Sequence, residues 1–98
     1  MTHNYSVNVK WTGGRKGITS STELNDAQEV ATPPEFPGGI AGVWSPEHLF
    51  TSAINSCLMT TFLSIAERSR LNFSAFSSGA DGKLEIIDKD SDEENESD

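Results

Sequence analysis

The sequence predicts an α+β fold in which an antiparallel β-hairpin and sheet pack on one long central helix. Three observations lead there. Apolar and polar residues alternate over residues 5–11, the period of a half-buried strand. A break containing three glycines follows at residues 12–17, and then a second extended stretch rich in Ser and Thr. Further on, apolar residues recur three and four apart from residue 46 to about residue 70. Ninety-eight residues make one small domain, so these elements must share one core or find a partner.

In the first strand Tyr5, Val7, Val9 and Trp11 face one way and Ser6, Asn8 and Lys10 the other. Gly13, Gly14 and Gly17 permit positive φ in the turn that follows. The second strand is expected over residues 18–24 and a weaker third over residues 28–32. Pro33-Pro34-Glu35-Phe36-Pro37-Gly38-Gly39 reads as an ordered loop, because prolines donate nothing to a ladder.

The helix has the strongest signals. Ser45 is a natural N-cap, Pro46 suits the first helical position, and Glu47 sits at the positive end of the macrodipole. Leu49, Phe50, Ala53, Ile54, Cys57, Leu58, Phe62, Ile65 and Ala66 form the apolar set, and Arg68 and Arg70 stand where cations are favoured. Twenty-five residues span about 37 Å. So much apolar surface requires a sheet to cover it. After Asn72 the period changes, and Phe73, Phe76, Leu84, Ile86 and Ile87 suggest further strands joined at residues 79–82. No internal repeat is present.

Charge is distributed unevenly. The net charge is −8, of which residues 88–98 carry −6 with seven acids and one lysine. The domain is therefore expected at residues 1–87, with an acidic disordered tail at residues 88–98. The near-neutral body has no basic patch or RNP-like aromatic run, so no nucleic-acid partner is expected. No apolar run approaches the roughly 18 residues of a membrane helix, and the first residues lack a charged n-region and an apolar h-region. Neither a membrane nor a secretory route is expected. One cysteine forms no internal disulfide, which suits a reducing cytoplasm.

Cys57 is the only thiol. A lone cysteine on a helix most often fills a small apolar gap. It lies too far into the helix for the dipole to favour its thiolate, so activation needs a side-chain cation. The candidates are Lys10, Arg15, Lys16, Arg68, Arg70 and Lys83, and Arg15 stands out for its place in a glycine-rich turn. Glu47 and His48 have ordinary roles as first-turn acid and cap. A metal site of Glu47, His48 and Cys57 fails on geometry, since ten helical residues separate the first and last by about 15 Å. No C-x-x-C and no helical His pair exists, so neither metal nor cofactor is expected. With His3 and His48 the only histidines, a cysteine-protease arrangement is also disfavoured.

Gly13-Gly14-Arg15-Lys16-Gly17, the Pro/Gly-rich loop, Ser45-Pro46-Glu47-His48-Leu49-Phe50 and Ser56-Cys57 together resemble the OsmC/Ohr family. These are the osmotically inducible and organic hydroperoxide resistance proteins. The resemblance covers about residues 5–87 and includes a cysteine ten residues after the glutamate. It implies an OsmC-like fold and a thiol peroxidase that reduces organic hydroperoxides in oxidative-stress defence. Cys57 matches the peroxidatic cysteine, Arg15 the arginine that holds thiolate and peroxide, and Glu47 the glutamate that orients the arginine. One arginine bridges Glu47 and Cys57 of the same helix only with difficulty, so a site shared across an intertwined homodimer is expected. The resemblance further implies an external thiol reductant, of lipoyl type in part of the family. Family members are longer, and the hydroperoxide-reducing branch has a resolving cysteine that this sequence lacks. The alternative is a non-catalytic or truncated dimerisation or binding module in which Cys57 is a buried structural residue.

The acidic run contains no aliphatic or aromatic side chain, so its removal is expected to leave the melting temperature unchanged. Calorimetry of the chain with and without residues 88–98 checks this, and a large fall contradicts it.

Overall fold

The computed structural model describes residues 2–83. Its elements are β1 (Asn8–Gly13), β2 (Lys16–Ser20), β3 (Gln28–Ala31) and α1 (Pro46–Arg68). The strands form one antiparallel sheet in the order β1-β2-β3, so the chain is of the α+β class. The acidic run and residues 84–87 lie outside the described residues.

β1 and β2 are joined by the two-residue turn Gly14-Arg15. Gly14 has φ 57° while Arg15 stays at negative φ, which places glycine where a II′ turn requires it. A register shift between Trp11 and Gly13 sharpens the twist there, and the Trp11 indole N–H donates to the Gly14 carbonyl at 2.8 Å. β2 ends at Ser20, short of the expected residue 24. The Ser21 hydroxyl accepts from the Glu23 N–H at 3.1 Å and the Ser21 carbonyl from the Leu24 N–H at 3.2 Å, so a local turn outcompetes the ladder. Across β2 and β3, Lys16 pairs with Glu29 at 3.2 Å, an exposed ion pair that contributes little.

Two hydrogen bonds at the end of β3 set the path to the helix. The Ala31 N–H donates to the Trp44 carbonyl at 2.8 Å, and the Thr32 N–H to the Arg15 carbonyl at 3.1 Å. The intervening loop closes on itself through Phe36 N–H to the Pro33 carbonyl (3.1 Å), Gly39 N–H to the Phe36 carbonyl (2.9 Å) and Ile40 N–H to the Thr32 carbonyl (2.8 Å). Gly39 is obligatory, since a Cβ there would overlap the Pro33 carbonyl. The Pro/Gly segment is thus an ordered loop, as its composition predicts.

α1 begins in a capping box. Ser45 is fully buried, and its hydroxyl accepts from the His48 N–H at 3.1 Å while the His48 ring Nδ1 accepts from the Ser45 N–H at 3.4 Å. His48 occupies the position usually taken by Glu or Gln. The helix ends at Arg68, two residues short of the expected limit, because Arg70 adopts the left-handed conformation with φ 57°. The Leu71 N–H then reaches the Ala66 carbonyl (2.9 Å) and the Arg70 N–H the Glu67 carbonyl (3.1 Å), a Schellman closure in which glycine is the usual residue.

Three expectations are corrected. First, α1 does not pack on the sheet; the extended contacts among the described elements are those between neighbouring strands. Phe50 is 71% exposed, Ile54 59% and Leu58 55%, while Trp11 on the sheet is 73% exposed. Apolar residues encircle much of the helix and leave no well-separated polar face, and among the described residues Ala31 and Ala66 are the buried hydrophobic ones. The radius of gyration of 17.5 Å exceeds the roughly 13 Å of a compact chain of about a hundred residues. Second, no strand forms in residues 71–83. They return along α1 as an irregular strap. Phe73 and Phe76 meet Phe62 at ring distances of 5.1 and 4.8 Å. Ser78 and Asn55 exchange two hydrogen bonds of 2.8 and 2.9 Å, and Gly82 lies against Thr51. Third, α1 is long and apolar enough to cross a membrane. An 18-residue window averages a hydropathy of 1.4, because Ser, Thr and Asn interrupt the apolar run without adding charge. A helix covered by another protein surface meets the same criterion.

Left-handed geometry costs a non-glycine residue roughly 1–2 kcal/mol. Arg70→Gly is therefore expected to stabilise the fold by about 1 kcal/mol, after loss of a favourable cation near the helix end. Urea denaturation of the two proteins measures it, and unchanged or lower stability contradicts the strain.

Candidate functional site

Arg15, Glu47 and Cys57 each sit where a local signal places them. Arg15 is the second residue of the β1–β2 turn and is exposed. Its side chain runs over Gly38, and its carbonyl is held by the Thr32 N–H. It borders a shallow concavity of about 340 Å³ whose lining includes Val9, Trp11, Gly17, Val30 and Pro46. Gly17 has no side chain between the paired residues Trp11 and Val30, and this leaves an apolar notch in the sheet.

Pro46 in that lining brings the start of α1 to the arginine's side of the sheet. Glu47, the next residue, is an exposed acid of the first turn, and its carbonyl accepts from the Thr51 hydroxyl at 2.9 Å. Among the described residues, no ion pair joins Arg15 to Glu47 within one chain. Trp44 and His48 meet edge to face at 6.1 Å beside the cap and line a second concavity with Gly42 and Val43.

Cys57 is a free, exposed thiol. It lies about 16 Å along the axis from Pro46 and is absent from the lining of the arginine's concavity. Helical rotation of 100° per residue groups it with Phe50 and Ile54, both exposed. The alternative in which Cys57 is a buried structural residue does not describe the single chain. One chain thus brings Arg15 and the helix start together and leaves Cys57 on an open face that is apolar toward the helix start, at Phe50 and Ile54, and hydroxylated beyond it, at Thr60, Thr61 and Ser64. No group of three His, Cys, Asp or Glu residues suited to a metal is found among the described residues.

Gly38 and the Asn55–Ser78 pair are contacts that sequence reading missed. Gly38 carried a signal only as half of a Gly-Gly pair, and its neighbour Arg15 is 23 positions away. Ser78 carried none, since a serine pair in an irregular segment has no periodicity to read.

No protein-family profile matches the chain. An uncharacterized protein of Acinetobacter baylyi is 36% identical over 69 residues, which make up 69% of this chain and 47% of that protein. The chain spans about half the length of this curated relative.

An exposed thiol reacts without denaturation. Cys57 is expected to titrate fully with a disulfide reagent such as Ellman's in native buffer, one thiol per chain. Reaction that begins only on adding denaturant contradicts the exposed placement.

Proposed function

We propose that this chain acts as a thiol peroxidase of the OsmC/Ohr type, reducing organic hydroperoxides in cytoplasmic oxidative-stress defence. The observation that carries the reading is the concavity shared by Arg15 and Pro46, the latter opening the helix that presents Cys57 as an exposed thiol. A guanidinium has a permanent charge and forked donors, so it can stabilise a thiolate and the charge that develops on a departing oxygen.

In the reaction, a lone pair of the Cys57 thiolate attacks the terminal oxygen of the hydroperoxide. The S–O bond forms as the O–O bond breaks, and the alkoxide leaves and takes up a proton to become the alcohol. Sulfur is oxidised to the sulfenic acid and the peroxide is reduced. Cys57 is the only cysteine of these 98 residues. An external dithiol of lipoyl type therefore completes the cycle: one of its sulfurs attacks the sulfenic sulfur and water leaves, then its second sulfur displaces the Cys57 thiolate and the dithiol departs oxidised to its disulfide. Arg15 holds thiolate and peroxide, and Glu47 orients Arg15 through a carboxylate–guanidinium pair.

The reading includes a homodimer. Within one chain Arg15 and Glu47 form no ion pair, and Cys57 lies ten residues along the helix from Glu47 and outside the concavity that Arg15 borders. A second copy laid on the exposed face of α1 brings these groups together from two chains. Burying a large apolar side chain contributes roughly 1.5–3 kcal/mol. Covering Trp11, Phe50, Ile54 and Leu58, all exposed in the single chain, thus favours association strongly. The exposed Ile54 and Phe50, one and two turns before Cys57, suit organic peroxides better than hydrogen peroxide.

Intact-mass spectrometry after one equivalent of cumene hydroperoxide tests the reading, with hydrogen peroxide and Cys57→Ser as comparisons. The expected result is rapid addition of one oxygen to Cys57, faster with the organic peroxide, and slowed about a hundredfold in Arg15→Ala. An inert thiol, or one oxidised equally fast in Arg15→Ala, overturns it.

A further inference from the structure

We infer that Gly38 is a positioning residue for Arg15, its missing side chain being the seat that fixes the arginine's stem. The inference rests on the peroxidase reading for its catalytic consequence but not for its geometry. Within one chain Arg15 is exposed and its side chain forms no ion pair among the described residues, so no charge pairing holds it there before a second copy supplies Glu47. Packing does. A Cβ built on Gly38 would stand 3.1 Å from Arg15 Cγ, 3.3 Å from Nε and 3.8 Å from Cδ, so even a methyl group there obliges the stem to shift by a few tenths of an ångström. Gly38 has φ +78°, the left-handed region in which glycine is at ease.

Both partners of this contact are tied to Thr32. Its N–H donates to the Arg15 carbonyl at 3.1 Å, and its carbonyl accepts from the Ile40 N–H at 2.8 Å, two residues after Gly38. Gly39 packs on the Pro33 carbonyl and donates to Phe36, which fixes the loop on the other side. The arginine and its seat are thus referenced to one backbone residue. A guanidinium already confined in its free state loses less conformational freedom when it engages an anion, and this is the benefit of preorganisation. The Pro/Gly loop therefore does more than connect β3 to α1. It holds the catalytic cation.

Gly38→Ala and Gly38→Asn are compared with the parent protein and with Arg15→Ala. Asparagine tolerates the left-handed backbone and guards against a variant that fails to fold. The readouts are the heteronuclear NOE of the Arg15 Nε–H group, the pH profile of Cys57 alkylation by iodoacetamide, and the rate of Cys57 oxidation by cumene hydroperoxide. The expected result is a lower NOE in both Gly38 variants. The alkylation profile should move to higher pH, and oxidation should fall about tenfold, less than in Arg15→Ala. An NOE unchanged by both substitutions overturns the seat. So does parent-like oxidation in the Gly38 variants when Arg15→Ala is slow. If Arg15→Ala itself oxidises normally, the peroxidase reading fails instead, and the NOE alone decides whether Gly38 confines the arginine.

Discussion

Two adjacent backbone donors at the end of β3 organise the rest of the described chain. The Ala31 N–H holds the carbonyl that precedes the helix cap, and the Thr32 N–H holds the carbonyl of the turn arginine. These bonds matter because α1 and the sheet share no extended packing surface. In most small α+β domains apolar contact fixes the angle between helix and sheet. Here hydrogen bonds and a tightly folded proline–glycine loop do so, and the apolar surfaces remain available.

That division of labour explains why some elements were legible in the sequence and others were not. The hairpin, the turn glycines and the Ser45 cap depend on residues a few positions apart, and each has its own propensity and hydrogen-bond chemistry. The early end of β2 is also local, but the Ser21 turn that causes it competes with a plausible strand pattern. The strap could not be read. Phe73 and Phe76 have the look of strand residues, and only the positions of Phe62 and Asn55 on the helix turn them into a cover for it.

The candidate site divides in the same way. Arg15, Glu47 and Cys57 were singled out by residue type, spacing and resemblance, and Arg15 and the helix start do meet at one concavity. The seat of Arg15 on Gly38 depends on how a long loop folds back on the hairpin, and no periodicity encodes that. The assumption that the sheet would cover the helix came from the need to bury apolar surface. The need is real, but one chain does not meet it.

The strap gives α1 a front and a back. Thr51, Asn55 and Phe62 fall on one line along the helix and are occupied by the returning chain. Cys57 is rotated from that line by roughly 140°. Whatever approaches the thiol therefore never competes with the strap for space. The polypeptide has in effect chosen which side of its helix the outside world may address, and the sulfur is on that side.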